Sequence, residues 1–106
     1  MEYELSCRYA TNKSFYGKAI VKEETTRNIH GYTILKNLYS YGTLVAKVLY
    51  SFIDNKKEIT YLYMSRYSQT TTRHQKEFFK QEGLDDNQIK KLMNSEENEL
   101  TIKEVV

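Results

Sequence analysis

The stretch YSQTTTRHQKEFF, residues 67–79, places a cation and an imidazole directly after three threonines. A helix that begins here offers unpaired backbone N–H groups and a partial positive charge at its N-terminus. Together with the hydroxyl groups and Arg73, these N–H groups can hold a phosphate or a carboxylate. The alternative interpretation is that the threonines cap the helix and Arg73 pairs with a nearby acid. We therefore define a candidate anion- or partner-binding site of Thr71, Thr72, Arg73 and His74, in which His74 is structural or secondary.

Catalysis has little support elsewhere in the sequence. Cys7 is the only cysteine, His30 and His74 are the only histidines, and the three lack the spacing of a metal-ligand set. Neither a glycine-rich phosphate loop nor a nucleophile elbow is present. Cys7 could join a histidine in a dyad only through a tertiary contact, whereas a free thiol on a strand commonly packs as a small hydrophobe. We expect a non-enzymatic protein without a metal or a cofactor.

Tyrosine is the most abundant aromatic residue, with ten copies, and several lie among lysines and arginines in the middle of the chain. Aromatic residues on a sheet with flanking cations can stack nucleic-acid bases. The same residue types are enriched at protein interfaces, and they also favour strands for packing reasons alone. All three interpretations stay open at this point. The interface candidates in this region are Tyr39, Tyr41, Tyr61, Tyr63, Arg66 and Tyr67.

The formal net charge of +2 is the sum of a basic part and an acidic part of the chain. Residues 1–84 contain 13 Lys and Arg against 8 Asp and Glu, whereas residues 85–106 contain 3 against 6. Dedicated nucleic-acid binders usually have a stronger basic excess. We hypothesise that the acidic C-terminal region mimics or contacts an element that prefers acidic surfaces, such as a basic nucleic-acid channel, so that charge reversal there slows association; a solvated helix and tail is the alternative. The acidic candidates are Asp85, Glu96, Glu97 and Glu99.

Hydrophobic periodicity predicts mainly strands over residues 1–67. Residues 2–9 alternate between apolar and polar side chains, which is the period of a half-buried strand. A second strand is predicted from Phe15 to Glu23, then a loop over 23–32, then three strands within 33–67 with a turn at DNKK, residues 54–57. Because the connections are short, we expect these five or so strands to be antiparallel.

Helical signals follow in residues 70–95. Thr72 and Gln75 fit a capping box, so a helix should begin within two residues of Thr71, and its Phe78 and Phe79 should not both be exposed.

A second helix is signalled by Asp85 with Gln88, another capping box, directly after Gly83. Residues 96–106 are predicted to be an edge strand or a loose tail. The expected fold is therefore one α+β domain over residues 1–106, an antiparallel sheet of about five strands followed by two short C-terminal helices.

Three segments carry a resemblance to a known family: SFYGKAIV at 14–21, LYSYGTLVA at 38–46 and YSQTTTRHQKEFFKQEG at 67–83. Their order and spacing resemble a family of small uncharacterised proteins of phages, plasmids and other mobile elements in Gram-positive bacteria. The shared pattern is S-F-Y-x-K-A, then S-Y-x-T-x-V-A, then Y-S-x-T-T-x-R-H-x-x-E-F. The third segment is the most specific, and the resemblance ends at residue 83. It implies a mobile-element origin and no catalytic activity.

The predicted function is binding without catalysis. Our first hypothesis is a phage or mobile-element accessory protein that inhibits a host protein complex, for example a defence complex that processes nucleic acid, such as a CRISPR nuclease. The alternative is direct binding of nucleic acid through the tyrosine-rich sheet and the helix terminus at Arg73. No stretch reaches the roughly 18 apolar residues of a membrane span, and the N-terminus lacks the features of a signal peptide. We therefore expect the protein in the host bacterial cytoplasm, without a membrane contact.

Overall fold

A computed structural model describes residues 1–11 and 14–105 of the chain. Its elements are β1 (Glu2–Glu4), β2 (Ala19–Asn28), β3 (Gly31–Ser40), β4 (Thr43–Ile53), β5 (Lys56–Tyr63), α1 (Gln69–Gln81), α2 (Asp86–Asn94) and β6 (Glu99–Val105). The strands form one antiparallel sheet in which they follow one another in chain order. The α+β fold is confirmed, with six strands, and the predicted edge strand near the C-terminus is β6.

The two helices lie on the same side of the sheet, and the core lies between them and the strands. Alternate strand residues point to this side, as the two-residue period requires, and Val21, Leu38, Val48 and Tyr61 are almost fully buried there. The helices contribute buried side chains from one face each, including Phe78 and Phe79 of α1 and Ile89 and Leu92 of α2. We call the sheet side away from the helices the open face.

The prediction of a loop over residues 23–32 is wrong, because this stretch is mostly strand. β2 continues to Asn28 and returns as β3 from Gly31. Asn28 closes the turn, since its side-chain oxygen accepts from the N–H groups of His30 and Gly31 at 2.8 and 3.2 Å. A Cβ at Gly31 would lie 1.9 Å from the carbonyl oxygen of Phe52, so this turn requires glycine.

The predictions for the two N-terminal strands were also inexact, since the first was too long and the second began too early. β1 ends at Glu4 instead of residue 9, and the chain then turns towards α1. There the buried carboxylate of Glu77 accepts the backbone N–H groups of Tyr9 and Ala10 at 2.9 and 2.8 Å. These N–H groups are satisfied by a side chain instead of a neighbouring strand. The second strand begins at Ala19, because Tyr16 and Gly17 adopt positive φ angles of 52° and 74° that form a turn.

The helix starts are set by two different caps. Ser68, not a threonine, caps α1, and its hydroxyl accepts the N–H of Thr71 at 3.1 Å. The predicted box of Thr72 and Gln75 is wrong, because the Gln75 amide donates to Val45 and Ser65 carbonyls instead. The start within two residues of Thr71 is confirmed.

The second capping box is confirmed: Asp85 and Gln88 bond each other's backbone N–H at 2.8 and 2.9 Å. Phe78 and Phe79 are both completely buried, as the sequence pattern required.

The last strand before α1 ends at Tyr63, earlier than residue 67, which leaves residues 64–68 as an extended connection. No helix in the described part of the chain is long and apolar enough to cross a membrane.

Candidate functional site

Two of the four predicted site residues point into the core. Thr71 and His74 are 5% and 1% exposed. The hydroxyl of Ser40, on β3, lies 3.0 Å from Thr71 Oγ1 and 2.8 Å from His74 Nδ1, and the ring of Phe15 packs edge-on against the imidazole. Burial lowers the pKa of His74, so at neutral pH its ring is uncharged. Thr71 and His74 therefore hold α1 on the sheet: the burial of Thr71 contradicts its prediction as an anion ligand, and His74 has the structural role that was one of the two expected for it.

The other two residues lie on the outer side of α1. Thr72 is half-buried and donates its hydroxyl proton to the carbonyl of Ser68 at 3.0 Å. Arg73 is exposed. No carboxylate within residues 1–11 and 14–105 forms an ion pair with it, so the alternative in which Arg73 is neutralised by an internal acid has no support in this part of the chain.

Arg73 and Thr72 line one of two adjoining concavities between the β5–α1 connection and the helices. The first is about 500 Å³ and the second about 490 Å³ in volume. We call them together the basic groove. The residues shared by both parts are Arg66, Thr72 and Lys76.

The floor of the groove is apolar, whereas its rim is cationic. Tyr63 and Ile89, at 8% and 3% exposed, form the floor together with the half-buried Met93. Burial raises the pKa of Tyr63 despite the nearby charge of Arg66, so the floor stays uncharged. A ligand in this groove would meet an apolar surface below and positive charge around it.

The rim cations keep their charge available. Arg66, Arg73, Lys76 and Lys90 are all exposed, and none forms an ion pair with a residue that the structure describes. Asp86 is the acid on the same rim, and it lies 2.8 Å from the ammonium of Lys80. The rim therefore carries a local positive excess that can attract an anionic group.

The tyrosine candidates separate into buried and accessible residues. Tyr61 is 1% exposed and lines no part of the groove, so its prediction as an interface residue is wrong, whereas Tyr63, at 8% exposed, is accessible only at the floor of the basic groove. The Tyr61 hydroxyl donates to the carbonyl oxygen of Glu82 at 2.7 Å, and burial, with the Glu82 charge, raises its pKa to about 12. The remaining candidates are accessible but scattered: Tyr39 lies on the open face under the ammonium of Lys22, Tyr41 in the β3–β4 turn, and Arg66 and Tyr67 beside the basic groove.

The acidic candidates do not form one patch. Asp85 is the N-cap of α2, whereas Glu96 and Glu97 follow its other end. The nine residues of α2 span about 13 Å at 1.5 Å per residue. Glu99 is the first residue of β6 and faces the open side, opposite Leu62. The prediction of a single acidic surface that combines all four residues is therefore wrong.

A row of stacked side chains crosses the sheet beyond the reach of the helices. The rings of Tyr32 and Phe52 stack with their centroids 4.8 Å apart. The guanidinium of Arg27 covers the Tyr32 ring at 5.1 Å, and the ammonium of Lys57 covers the Phe52 ring at 5.8 Å. The ring faces are thus already occupied by neighbours, which leaves little room for an inserted base. Sequence analysis missed this row because residues 23–32 were interpreted as a loop.

Cys7 and the two histidines are not brought together. Burial and the charge of Glu77 raise the pKa of Cys7, which disfavours the reactive thiolate. His74 contacts Ser40, Phe15 and Tyr41, and His30 lies 3.4 Å from Asp54 at the far end of the sheet. Within the described residues, no group of His, Cys, Asp and Glu side chains could hold a metal ion.

The comparisons with known proteins place the chain in a family. A family model described as a family of unknown function, DUF8033, matches residues 3–95, and the chain belongs to this family. No curated protein matches the chain, and no solved structure does. The match covers β1 to α2 and therefore includes the whole basic groove, whereas β6 lies beyond it.

Proposed function

We propose that this protein is a non-enzymatic binding protein that uses the basic groove to hold an acidic surface of a host protein complex. The observation that carries the proposal is the combination of an apolar floor with four exposed, unneutralised cations at the rim. Acidic side chains from a partner would meet Arg66, Arg73, Lys76 and Lys90, and an apolar side chain would fill the floor. Desolvated apolar anchors surrounded by charged rims are typical of protein interfaces.

The biological setting we propose follows from the motif resemblance. A phage or mobile-element accessory protein in the cytoplasm of a Gram-positive host acts by occupying a surface that the host complex needs. A complex that processes nucleic acid, such as a defence nuclease, is the favoured class of target. Binding alone is sufficient for inhibition of this kind, so no catalytic group is required.

Direct binding of nucleic acid is the second candidate, and the same four cations favour it. Phosphate contacts would involve the rim and leave the apolar floor without a role. Because each phosphate contact releases a counterion, such binding should weaken about a thousandfold or more between low and physiological salt if six or more contacts form. The groove offers four cations, so we expect a smaller effect and weak affinity.

The test is affinity capture from a Gram-positive host lysate after nuclease treatment, followed by reconstitution with the purified captured protein. Wild-type protein is compared with the double variant Arg73→Glu, Lys76→Glu and with Lys47→Glu, Lys56→Glu, a matched double charge reversal on the open face. The proposal predicts that nuclease treatment leaves capture intact, that the groove variant loses the reconstituted complex and that the control keeps it. Capture that disappears with nuclease, together with direct binding of a labelled oligonucleotide, would establish the second candidate instead.

A further inference from the structure

One side of β6 has no neighbour in the structure. β6 (Glu99–Val105) pairs with β5 and is the last strand of the sheet. The described residues contain no backbone hydrogen bond on its outer side. The strand is seven residues long and contains neither proline nor glycine. A regular unpaired edge of this length is a template for pairing with another strand.

The backbone groups that point outward belong to alternate residues. The N–H of Tyr63 donates to the carbonyl of Asn98 at 2.9 Å, which fixes Asn98 as a residue that bonds β5. In an antiparallel ladder the bonding direction alternates along the strand. Leu100 and Ile102 therefore also bond β5, and the N–H and C=O groups of Glu99, Thr101 and Lys103 point away from the sheet.

We propose that β6 pairs antiparallel with β6 of a second copy of this chain, with Thr101 of one copy opposite Thr101 of the other. This register joins outward-pointing groups to outward-pointing groups and completes the ladder. It also places Glu99 of each copy opposite Lys103 of the other on the open face. On the helix side, Leu100 of each copy lies opposite Ile102 of the other.

Only this register pairs Glu99 with Lys103 and Leu100 with Ile102. A shift by one residue would oppose outward groups to groups that already bond β5. A shift by two residues in one direction would place Thr101 opposite Lys103 and Leu100 opposite Glu104, and in the other direction Thr101 opposite Glu99, so that the Glu99–Lys103 pairs are lost and only one apolar contact, Ile102–Ile102 or Leu100–Leu100, remains. Cross-strand pairs of opposite charge stabilise an antiparallel pair, and like charges destabilise it.

The resulting assembly is one continuous sheet of twelve strands. Its twofold axis is perpendicular to the sheet, so the helices and the basic grooves of both copies lie on the same face. Two grooves on one rigid body would allow bivalent binding of a symmetric or repetitive partner, which strengthens binding without a new contact. The dimer itself does not depend on the function proposed for the groove.

The test uses two charge-reversal variants. The like-charge contacts that each creates disappear only in a dimer that contains one copy of each variant. Sedimentation from about 10 μM to about 1 mM should show a concentration-dependent dimer of the wild-type chain. Glu99→Lys and Lys103→Glu should each weaken it about tenfold, since each creates two like-charge pairs across the axis. An equimolar mixture of the two variants should restore the dimer as a heterodimer. Glu24→Lys, the same charge change on the open face of β2, should have no effect.

A second variant covers the case in which Lys103→Glu fails to fold, since this residue lies opposite Glu58 within the chain. Thr101→Pro removes an outward N–H and leaves the bonds to β5 in place, so it should abolish the dimer while circular dichroism stays unchanged. A wild-type chain that remains monomeric over the whole concentration range overturns the proposal. So does a dimer that survives both Glu99→Lys and Thr101→Pro.

Discussion

The ammonium of Lys36 on β3 lies 2.9 Å from the carboxylate of Glu82, the C-cap residue of α1. Around this ion pair, Tyr50 donates its hydroxyl proton to the same carboxylate at 2.6 Å, and Tyr61 donates to the Glu82 carbonyl. The cluster fixes the end of α1 over the middle of the sheet, while the contacts of Ser40 fix its beginning. With both ends held from inside, the outer side of α1 can present Arg73 and Lys76 in a defined position.

This cluster predicts that the fold loses stability at high pH. Burial and the bond to Glu82 raise the pKa of Tyr50, and burial with the Glu82 charge raises that of Tyr61 to about 12. Burial lowers the pKa of Lys36, but the contact with Glu82 outweighs it and the net shift is upward. A raised folded-state pKa contributes stability that is complete below the ordinary value of about 10 and is lost as pH rises towards the folded value.

Urea denaturation between about pH 8 and about pH 11.5 should therefore show a decline that begins near pH 10. Tyr50→Phe should lower the free energy of unfolding by roughly 1–2 kcal/mol at neutral pH and make the alkaline decline shallower. A decline equally steep in this variant would show that Tyr50 does not contribute to it.

Buried His74 predicts the opposite behaviour at acid pH. Its pKa is lowered by burial, so its contribution is present above the ordinary value of about 6.5 and is lost as pH falls through the folded value. Thermal melts from about pH 7.5 to about pH 5 should show this loss in wild type and in His30→Gln, since His30 is exposed at the far end of the sheet. His74→Gln should lose this part of the pH dependence; an unchanged acid slope would contradict the assignment.

Glu77 is predicted to be a structural carboxylate. It accepts two backbone N–H groups from Tyr9 and Ala10, and a third hydrogen bond from the Gln81 amide at 2.7 Å. Glu77→Ala leaves two part-buried N–H groups without an acceptor and should lower the free energy of unfolding by about 2 kcal/mol. Glu96→Ala, an exposed glutamate, should change it by less than about 0.5 kcal/mol. Similar values for the two variants in urea denaturation would exclude this role.

Arg73 should matter for binding and not for folding. Its side chain is exposed and forms no ion pair with a described residue, so Arg73→Ala should change the free energy of unfolding by less than about 0.5 kcal/mol. Removal of a rim charge mainly slows association, more strongly at low salt. Surface plasmon resonance with the captured host protein measures this rate. An unfolded variant, or an unchanged association rate at low salt, would contradict the role.

The features that the sequence predicted correctly depend on interactions between residues that are close together in the chain. The capping box of Asp85 and Gln88 and the burial of Phe78 and Phe79 follow from contacts or periodicity within one helix. The wrong predictions fall where a contact with a residue distant in the chain determines the local structure. Glu77 accepts the N–H groups of Tyr9 and Ala10, which lie more than 65 residues away in the chain, and Ser40 contacts His74 across 34 residues.

The same distinction between local patterns and distant contacts applies to the candidate site. Arg73 was identified from its position in the first turn of a helix, and Lys76 lies one turn further on the same side, so its inclusion was within reach of the sequence. Lys90 joins the groove only because α2 packs beside α1, which no local pattern in the sequence signals. Tyr63 was an interface candidate because it lies among tyrosines and cations in the sequence, but strand alternation places it on the helix side of the sheet, at the floor of the groove.

The most direct test of a groove that holds a host protein is photocrosslinking in host cells. A benzophenone side chain replaces the exposed Gln69 at the groove, or Thr26 on the open face as a matched control. The account predicts a crosslink from position 69 to a host protein that resists nuclease and disappears when Arg73→Glu and Lys76→Glu are added. A crosslink from position 26 alone, or one from position 69 to nucleic acid instead of protein, would contradict it.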